Sequence, residues 1–539
     1  MKKIFNKIII LCLVTIFSVC SFAGCVQEEK PSKLLPEYSA RVPFETFAYG
    51  ATSTGTFNID GELVSFGDFL TAEKIKEHKD AGFNVMYITN QGFTANQLWE
   101  ESQAKKIMDL CVEVGIDKVI LTDFYVRDLA LEPNLVGEGA AFKIDSTNFT
   151  KPEYDGDNRT KEERALDAYI WNRMKIYANH PTFYGLNMYD EPSWELADSL
   201  GKVYKSIRRI SEIHDLGYLY IQTNLGPIGF YTDFLMEYTK TEDGKFVDKD
   251  GNEIDFEAAY RDYLRTYLIA TGADRISVDI YAFRHTGLWA GYFQTLQIME
   301  EVCQEFGVDW TLVLQSFQTF QGTVEAHSKV SKSEMMWEAN TALGFGATNY
   351  AYYTYYTGST YSTSGYKWTD VGSFINMNGE KTEIYYYGQY ILDYLKNFHD
   401  IISNYEYQGA KFYRVDGVST LDLSSYFSSI VDTITGTTVP FDNSHEFELI
   451  KGVEFDNEIV LLSELKDEKN DLYMYMIQNV IDPRNAKIGN TDLNVTVDFG
   501  DYKWVAEYDC GNLRYVKLDN GKYNTSLSAG YAKFVIPLE

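Results

Sequence analysis

The run Tyr184–Trp194, YGLNMYDEPSW, drives an alternating, β-like stretch into two adjacent carboxylates, Asp190 and Glu191, and stops it with Pro192. Neighbouring acids repel, and each charge raises the other's affinity for a proton. The chemistry such a pair supports is proton transfer. A carboxyl held protonated near neutral pH donates to a leaving group, and one that stays ionised attacks or activates water. The same acids could instead favour the N-terminus of the helical pattern SWELADSL, although Ser193 is an equally good cap there.

Placing that pair requires the elements around it. Short β-like runs begin at 44–50 (FETFAYG), 84–90 (NVMYITN), 118–126 (KVILTDFYV) and 183–191 (FYGLNMYDE). Four more follow at 218–224 (YLYIQTN), 275–283 (RISVDIYAF), 310–318 (WTLVLQSFQ) and 348–356 (TNYAYYTYY). Helical patterns lie between them, with apolar residues three and four apart and glycine at their ends. Eight β–α alternations predict an α/β fold, a parallel sheet closed into a (β/α)8 TIM barrel. No GxGxxG opens a helix, which disfavours a doubly wound nucleotide-binding sheet. Long insertions after the third and fifth runs fall on the C-terminal face, where barrels build their sites. From about Asn404 the texture becomes period-two alternation with turn signals, predicting a C-terminal all-β sandwich domain.

Barrel strands present site residues at their C-terminal ends. Reading those ends gives Glu45 or Tyr49 on strand one, Asn90 and Gln91 on strand two, and Asp123 and Tyr125 on strand three. Strand four supplies Asp190 and Glu191, strand five Gln222 and Asn224, and strand six Asp279 and Tyr281. Strand seven supplies Gln315 and Gln318, and strand eight the tyrosines from Tyr352 to Tyr356. The inventory holds no lysine for a Schiff base and no histidine cluster for a metal. Amides, carboxylates and aromatic faces together suit a sugar, whose hydroxyls pair with the polar groups and whose C–H face lies on a ring.

With those residues in place, HPTFYGLNMYDEPSW resembles the fourth-strand signature of the large clan of retaining (β/α)8 glycoside hydrolases, the cellulases, mannanases and β-galactosidases. The resemblance covers residues 43–400 as architecture and is sharp only at the triplet. It implies that Glu191 is the acid/base, with Asp190 where the clan carries asparagine. The clan's nucleophile is a glutamate ending strand seven, and Gln315 stands there instead. A neutral amide cannot form a glycosyl ester. Three repairs remain open: Asp279 as nucleophile or base; an inverting reaction in which Asp279 or Asp123 activates water across a gap of ~6.5–9.5 Å; or attack by a substrate acetamido group, with Asp190 orienting it, as the Asp-Glu pair of hexosaminidases implies. Asp279 ranks first. Substrate-binding candidates are Asp123, Trp194, Asn224, Tyr281, Trp289, Gln315 and Tyr352. His285 is a further candidate, and His180, ahead of strand four, is expected to be structural.

The start of the chain has its own logic. Lys2, Lys3 and Lys7 precede an apolar core and SFAGC, which looks like a bacterial lipobox with Phe22 in place of its usual leucine. Residues 1–24 are thus expected to be a signal peptide, and Cys25 the lipidation site of an extracytoplasmic, membrane-anchored lipoprotein. A tether (25–42), a catalytic barrel (43–403) and the sandwich (404–539) follow. The formal charge of −30 argues against nucleic acid as a partner. Cys111, Cys303 and Cys510 lie far apart and suggest neither zinc nor a disulfide framework. No cofactor is expected. Two functions follow: hydrolysis of a poly- or oligosaccharide, or carbohydrate binding by a barrel that has lost its chemistry.

Overall fold

The computed structural model describes residues 31–539 except 132–145, 229–235, 358–365, 369–371, 415–440 and 485–490, with short breaks at 52–53, 60–61, 95, 238, 243–244, 286, 290, 322–323 and 457–458. Eight parallel strands form one sheet: β1 (Thr46–Ala48), β2 (Val85–Phe93), β3 (Lys118–Asp123), β4 (Phe183–Asp190), β5 (Tyr220–Leu225), β6 (Arg275–Asp279), β7 (Asp309–Gln315) and β8 (Asn349–Tyr353). Their order is sequential around the sheet, from β2 through β7 to β8 and then β1. The seam between β1 and β2 is closed by Asn84, whose side-chain amide donates to Phe44 O at 2.7 Å and accepts from Thr46 N at 2.9 Å. The barrel expected from the eight alternations is therefore present, with a strand ladder at every junction but that one, which Asn84 bridges. Each strand lies within a few residues of the run that predicted it.

Among the described residues, eight helices of nine or more residues cover the outside: α1 (Ala72–Asp80), α2 (Gln103–Val114), α3 (Lys161–Met174), α4 (Ala197–Ile213), α5 (Phe256–Thr271), α6 (Tyr292–Phe306), α7 (Lys332–Gly344) and α8 (Glu383–Ile402). Their starts are set locally. Thr160 and Ser331 each form a reciprocal capping box with the glutamate three residues on. Alternation sorts the strand side chains into two cores. Phe47, Tyr49, Val85, Tyr87, Ile120, Tyr220, Val313 and Ala351 fill the barrel interior. The other set, including Met86, Ile88, Leu121, Leu312 and Tyr352, packs outward against the helices.

The C-terminal module is a sandwich of two antiparallel sheets. Six strands, β9 (Glu406–Arg414), β11 (Ile459–Asp467), β12 (Leu472–Gln478), β17 (Ala532–Leu538), β14 (Trp504–Asp509) and β15 (Asn512–Lys517), form one sheet in that order. β10 (Gly452–Phe455), β13 (Leu493–Asp498) and β16 (Lys522–Leu527) form the other. β11 escapes the alternation rule because both its faces are buried: Val460 and Leu462 face the second sheet, while Ile459, Leu461 and Leu465 face the barrel's core. Helices α7 and α8 seat the module. Trp337 Nε1 donates to Val480 O at 3.1 Å, Asn340 Nδ2 to Gly530 O at 3.0 Å, and Phe398 packs on Tyr508 and Phe534.

Candidate active site

A local irregularity aims the acids. β4 and β5 pair Asn187 with Gln222, then Tyr189 with Thr223 and Asp190 with Asn224, so Met188 is an extra residue on β4. Strict alternation from the inward-facing Asn187 would carry Tyr189 and Glu191 inward. The bulge at Met188 shifts that parity, and Asp190 faces the barrel mouth. Glu191 then takes a left-handed backbone, φ +50°, a region that costs a non-glycine residue energy and that clusters at functional sites. Its N–H donates to Asn224 O at 2.8 Å, which ties the strained turn to β5.

Asp190, Glu191 and Asp279 form one cluster. Asn224 Nδ2 donates to Asp190 Oδ1 at 3.1 Å and to Asp279 Oδ1 at 2.7 Å. Glu191 and Asp279 share a side-chain hydrogen bond, and the Tyr281 side chain faces Asp279 and favours its charged form. Among the described residues no cation contacts the three acids; Arg127 is the nearest positive influence and is itself engaged with Asp128 at 3.0 Å. Burial, then the charges of Asp279 and Asp190, lift the Glu191 carboxyl to about 10. Burial and Asp279 lift Asp190 to about 7 against the donor Asn224. Asp190 is open to solvent at the mouth, and water screens part of that lift, so it ranks below Glu191 as a proton holder. Burial also raises Asp279, opposed by Asn224, Tyr281 and Glu191.

Across the mouth the lining changes character. Ring contacts run from Tyr87 on β2 to Tyr49 after β1 (4.8 Å between centroids), to Tyr353 on β8 (5.8 Å) and to Tyr281 after β6 (5.9 Å). The mouth is thus split between an acid arc on β4 to β6 and an aromatic arc running from β2 through β1 and β8. Trp194, partly buried in a 3-10 turn directly after the acids, borders the first arc.

The other residues singled out by strand position go elsewhere. Asp123 is buried and paired with Arg173 at 2.9 Å, and it caps the turn at Tyr125, whose ring stacks on Tyr169. Gln315 anchors loops: its Oε1 accepts from Phe283 N at 3.1 Å and its Nε2 donates to Ser328 O at 3.0 Å. Trp289 is buried with the Arg284 guanidinium 4.4 Å over its ring. Tyr352 points outward against Phe83 and Phe374, because Tyr353 takes the inward place on β8. Gln318 holds Glu325 at 2.6 Å, with His285 on the same carboxylate at 3.5 Å; Tyr356 stacks on Phe69. His180 contacts Thr182 and Asp109. Glu45 precedes β1, so it lies at the opposite end of the barrel with Arg275 and Lys118. The side chains of Asn90 and Gln91, and the whole of Cys25, lie outside the described residues.

Three contributors are absent from the strand-end inventory: Tyr87, Ser277 and Glu338. Tyr87 lies inside its strand rather than at the end, and Tyr353, present in the strand-eight run, has the inward parity that the singled-out Tyr352 lacks. Ser277 lies two residues before Asp279 on the same face of β6, and that spacing was its signal. Glu338, on α7, accepts from Gln315 N at 3.0 Å and Ala282 N at 3.4 Å, fixing the ends of β6 and β7 from outside. Nothing in its helical context announces this. Among the described residues no group of histidines, cysteines and acids could hold a metal ion, and no helix is long and apolar enough to cross a membrane.

No family model matches the chain, and no curated protein matches it in sequence. Solved structures that match include an α-amylase from Anoxybacillus, assigned to a glycosyl hydrolase subclass (10% identity, 92% of this chain and 97% of that one, TM-score 0.46). They also include a GH27 β-L-arabinopyranosidase from Geobacillus stearothermophilus (10%, 93% and 97%, 0.46) and a GH30 endoxylanase from Clostridium papyrosolvens (10%, 93% and 98%, 0.35). At that level of overlap the likeness adds nothing to the barrel already read from its own strand order.

Proposed function

We propose that the chain is a glycoside hydrolase that cleaves an O-glycosidic bond of a poly- or oligosaccharide at the β4–β6 acid arc. The observation that carries this reading is the divided mouth: three carboxyl groups in one hydrogen-bonded cluster, without a contacting cation among the described residues, opposite a belt of tyrosine rings. A sugar ring lying with its C–H face on the tyrosines turns its anomeric bond toward the acids. Glu191, raised by burial and by its two neighbours, is the proton donor to the glycosidic oxygen. Asp279 is the carboxylate that works with it, as nucleophile or base.

The separation of the pair bears on mechanism. Retaining pairs stand ~5–5.5 Å apart and inverting pairs ~6.5–9.5 Å. Glu191 and Asp279 face each other as a hydrogen-bonded pair, which favours the short, retaining arrangement over a gap wide enough for an inverting water. A glycosidic oxygen arriving between them takes over the Glu191 proton, and Asp279, relieved of that bond, faces the anomeric carbon with its charge free. Asp190 is the second carboxylate within reach and holds the place that substrate assistance would need.

The test is a screen of oligosaccharides and aryl glycosides with wild type and Glu191→Gln, followed by NMR of the first-formed anomer. Turnover that Glu191→Gln retains at full rate would overturn the assignment. Glycan binding without any product after prolonged incubation would instead make the chain a binding barrel, the reading that Gln315 at the end of β7 suggests. The resemblance to the clan with a fourth-strand acid/base stands as part of this proposal. So does the anchor: Cys25 carries the lipid and holds the barrel outside the cytoplasm. A fatty-acid label that persists in Cys25→Ser would refute it.

A further inference from the structure

A directional chain of hydrogen bonds runs up the inside of the barrel into the acid cluster. Tyr220 donates its hydroxyl to Gln222 Oε1. Gln222 Nε2 donates to Ser277 Oγ at 2.6 Å, and Ser277 Oγ donates to Asn224 Oδ1 at 2.9 Å. Asn224 Nδ2 then donates to both aspartates. Gln222, Ser277 and Asn224 are at most 1% exposed, so no water competes for these bonds. The direction is set from the acid end. Asn224 Nδ2 faces two carboxylate oxygens, so its Oδ1 is left to accept from Ser277, whose one other acceptor is Thr223 O, more distant at 3.3 Å; Ser277 Oγ then accepts from Gln222 Nε2, which leaves Gln222 Oε1 to Tyr220. Reversing Asn224 would set its carbonyl oxygen against two carboxylate oxygens and would leave the Ser277 proton facing an NH2.

From this geometry we propose that Gln222 and Ser277 are positioning residues that lock the Asn224 amide with both its N–H bonds on Asp190 and Asp279, and so assign the cluster's proton to Glu191. The aspartates are then held as acceptors at the oxygens Asn224 touches, and the hydrogen bond between Glu191 and Asp279 has Glu191 as its donor. The proposal deepens the glycosidase reading and rests on it for the meaning of that proton. The relay touches no substrate. Other groups whose charge couples to the cluster are Tyr49, Tyr87, Arg127, Tyr189, Tyr260, Tyr263, Tyr281 and Tyr353, and none lies on the relay.

Ser277→Ala and Gln222→Met cut the chain at two different links and leave all three acids in place. Freed to turn, the amide no longer favours ionised aspartates. The acidic limb of the kcat/KM profile then moves up by about one pH unit. The optimum kcat falls about tenfold with KM unchanged, and Ser277→Thr, which keeps the hydroxyl, restores the limb. A limb that stays put while the rate falls evenly at every pH overturns the relay. A second readout needs no turnover. In infrared difference spectra at pH 7, wild type minus Glu191→Gln shows one protonated-carboxyl band, and the same subtraction in a Ser277→Ala background shows it diminished. If wild type hydrolyses no glycoside but the band behaves this way, the relay stands and the glycosidase reading falls. If turnover depends on Glu191 but the band ignores Ser277→Ala, the relay falls and the reading stands.

Discussion

Two strands, β4 and β6, carry acidic clusters or their partners at both ends of the barrel, and the two ends treat a carboxylate in opposite ways. At the floor, Glu45 is 3% exposed and meets Arg275 at 2.5 Å, Lys118 at 2.7 Å and the Tyr184 hydroxyl at 2.6 Å. Burial pulls its pKa up, but Arg275, Lys118 and Tyr184 outweigh burial and hold it below the ordinary glutamate value. At the mouth the same strands end in Asp190, Glu191 and Asp279, which face an amide and a phenol but, among the described residues, no contacting cation, and all three are raised. The floor is a compensated ion pair that holds the barrel together. The mouth is an uncompensated cluster, a costly arrangement for stability that keeps a proton available.

The contrast breaks most visibly by mutation of one acid at each end. Glu191→Gln and Asp279→Asn are each expected to lower kcat by at least ~10³-fold, within the range for removing a general acid or its partner, with little loss of folding. Steady-state rates on the substrate found by screening check this, and a residual rate within tenfold of wild type would refute it. Glu45→Gln should do the reverse. It strands buried Arg275 without its carboxylate, a change worth about 3–5 kcal/mol of stability, while kcat per folded molecule stays within about twofold, since the floor does no chemistry. Urea unfolding and active-site titration separate the two effects.

How much of this contrast could be read from residues alone follows from what kind of signal each part emits. The barrel was legible because eight β–α alternations repeat one physical rule, apolar strand then amphipathic helix, and errors at single boundaries do not disturb the count. Glu191 and Asp279 were legible because position at a strand's end is enough to name them. Asp190 was named for its adjacency, but what turns it inward is the extra residue Met188, and a bulge leaves no mark in hydrophobicity. Glu45 stands in the strand-end inventory although it opens the 44–50 run; it precedes the first strand, Thr46–Ala48, and so belongs to the opposite end of the barrel from Tyr49. Tyr352 was chosen over Tyr353 because in a run of tyrosines parity is invisible. β11 sends the opposite kind of signal: a strand buried on both faces does not alternate, so it does not stand out in the period-two texture after Asn404.

The two ends should also separate with pH. A carboxyl raised on folding contributes stability that is complete below its unfolded pKa and lost as pH climbs toward the folded value; a lowered one contributes stability that is lost as pH falls. Glu191, raised from about 4.5 to about 10, therefore strains the fold progressively from mild acid to alkaline pH, whereas Glu45 weakens it only in acid. Glu191→Gln, which keeps the hydrogen bond to Asp279 without the ionisation, is expected to match wild type near pH 4 and to melt higher by about 1–3 °C at pH 8.5, a modest shift because a long chain unfolds with large entropy. Differential scanning calorimetry across pH decides this. A variant whose advantage shrinks as pH rises would mean that Glu191 is not the group under strain.

The smallest expected effect sharpens the aromatic side of the mouth. Tyr352 and Tyr353 are neighbours on β8, but one packs among Phe83 and Phe374 and the other joins the ring belt beside Tyr49 and Tyr281. The Tyr352 hydroxyl is buried with no hydrogen-bond partner among the described residues, so Tyr352→Phe discards a polar atom that the core only tolerates. Catalysis should be unchanged and stability should rise by up to about 1 kcal/mol. Tyr353→Ala, by contrast, removes a ring from the surface proposed to carry the sugar's C–H face. A three- to tenfold rise in KM, roughly 0.5–1.5 kcal/mol of aromatic contact, with a smaller change in kcat, is the expected result. Equal effects from Tyr352→Ala and Tyr353→Ala on KM would mean that strand parity does not govern substrate contact on this side, and that the division of the mouth into acid and aromatic arcs has no bearing on binding.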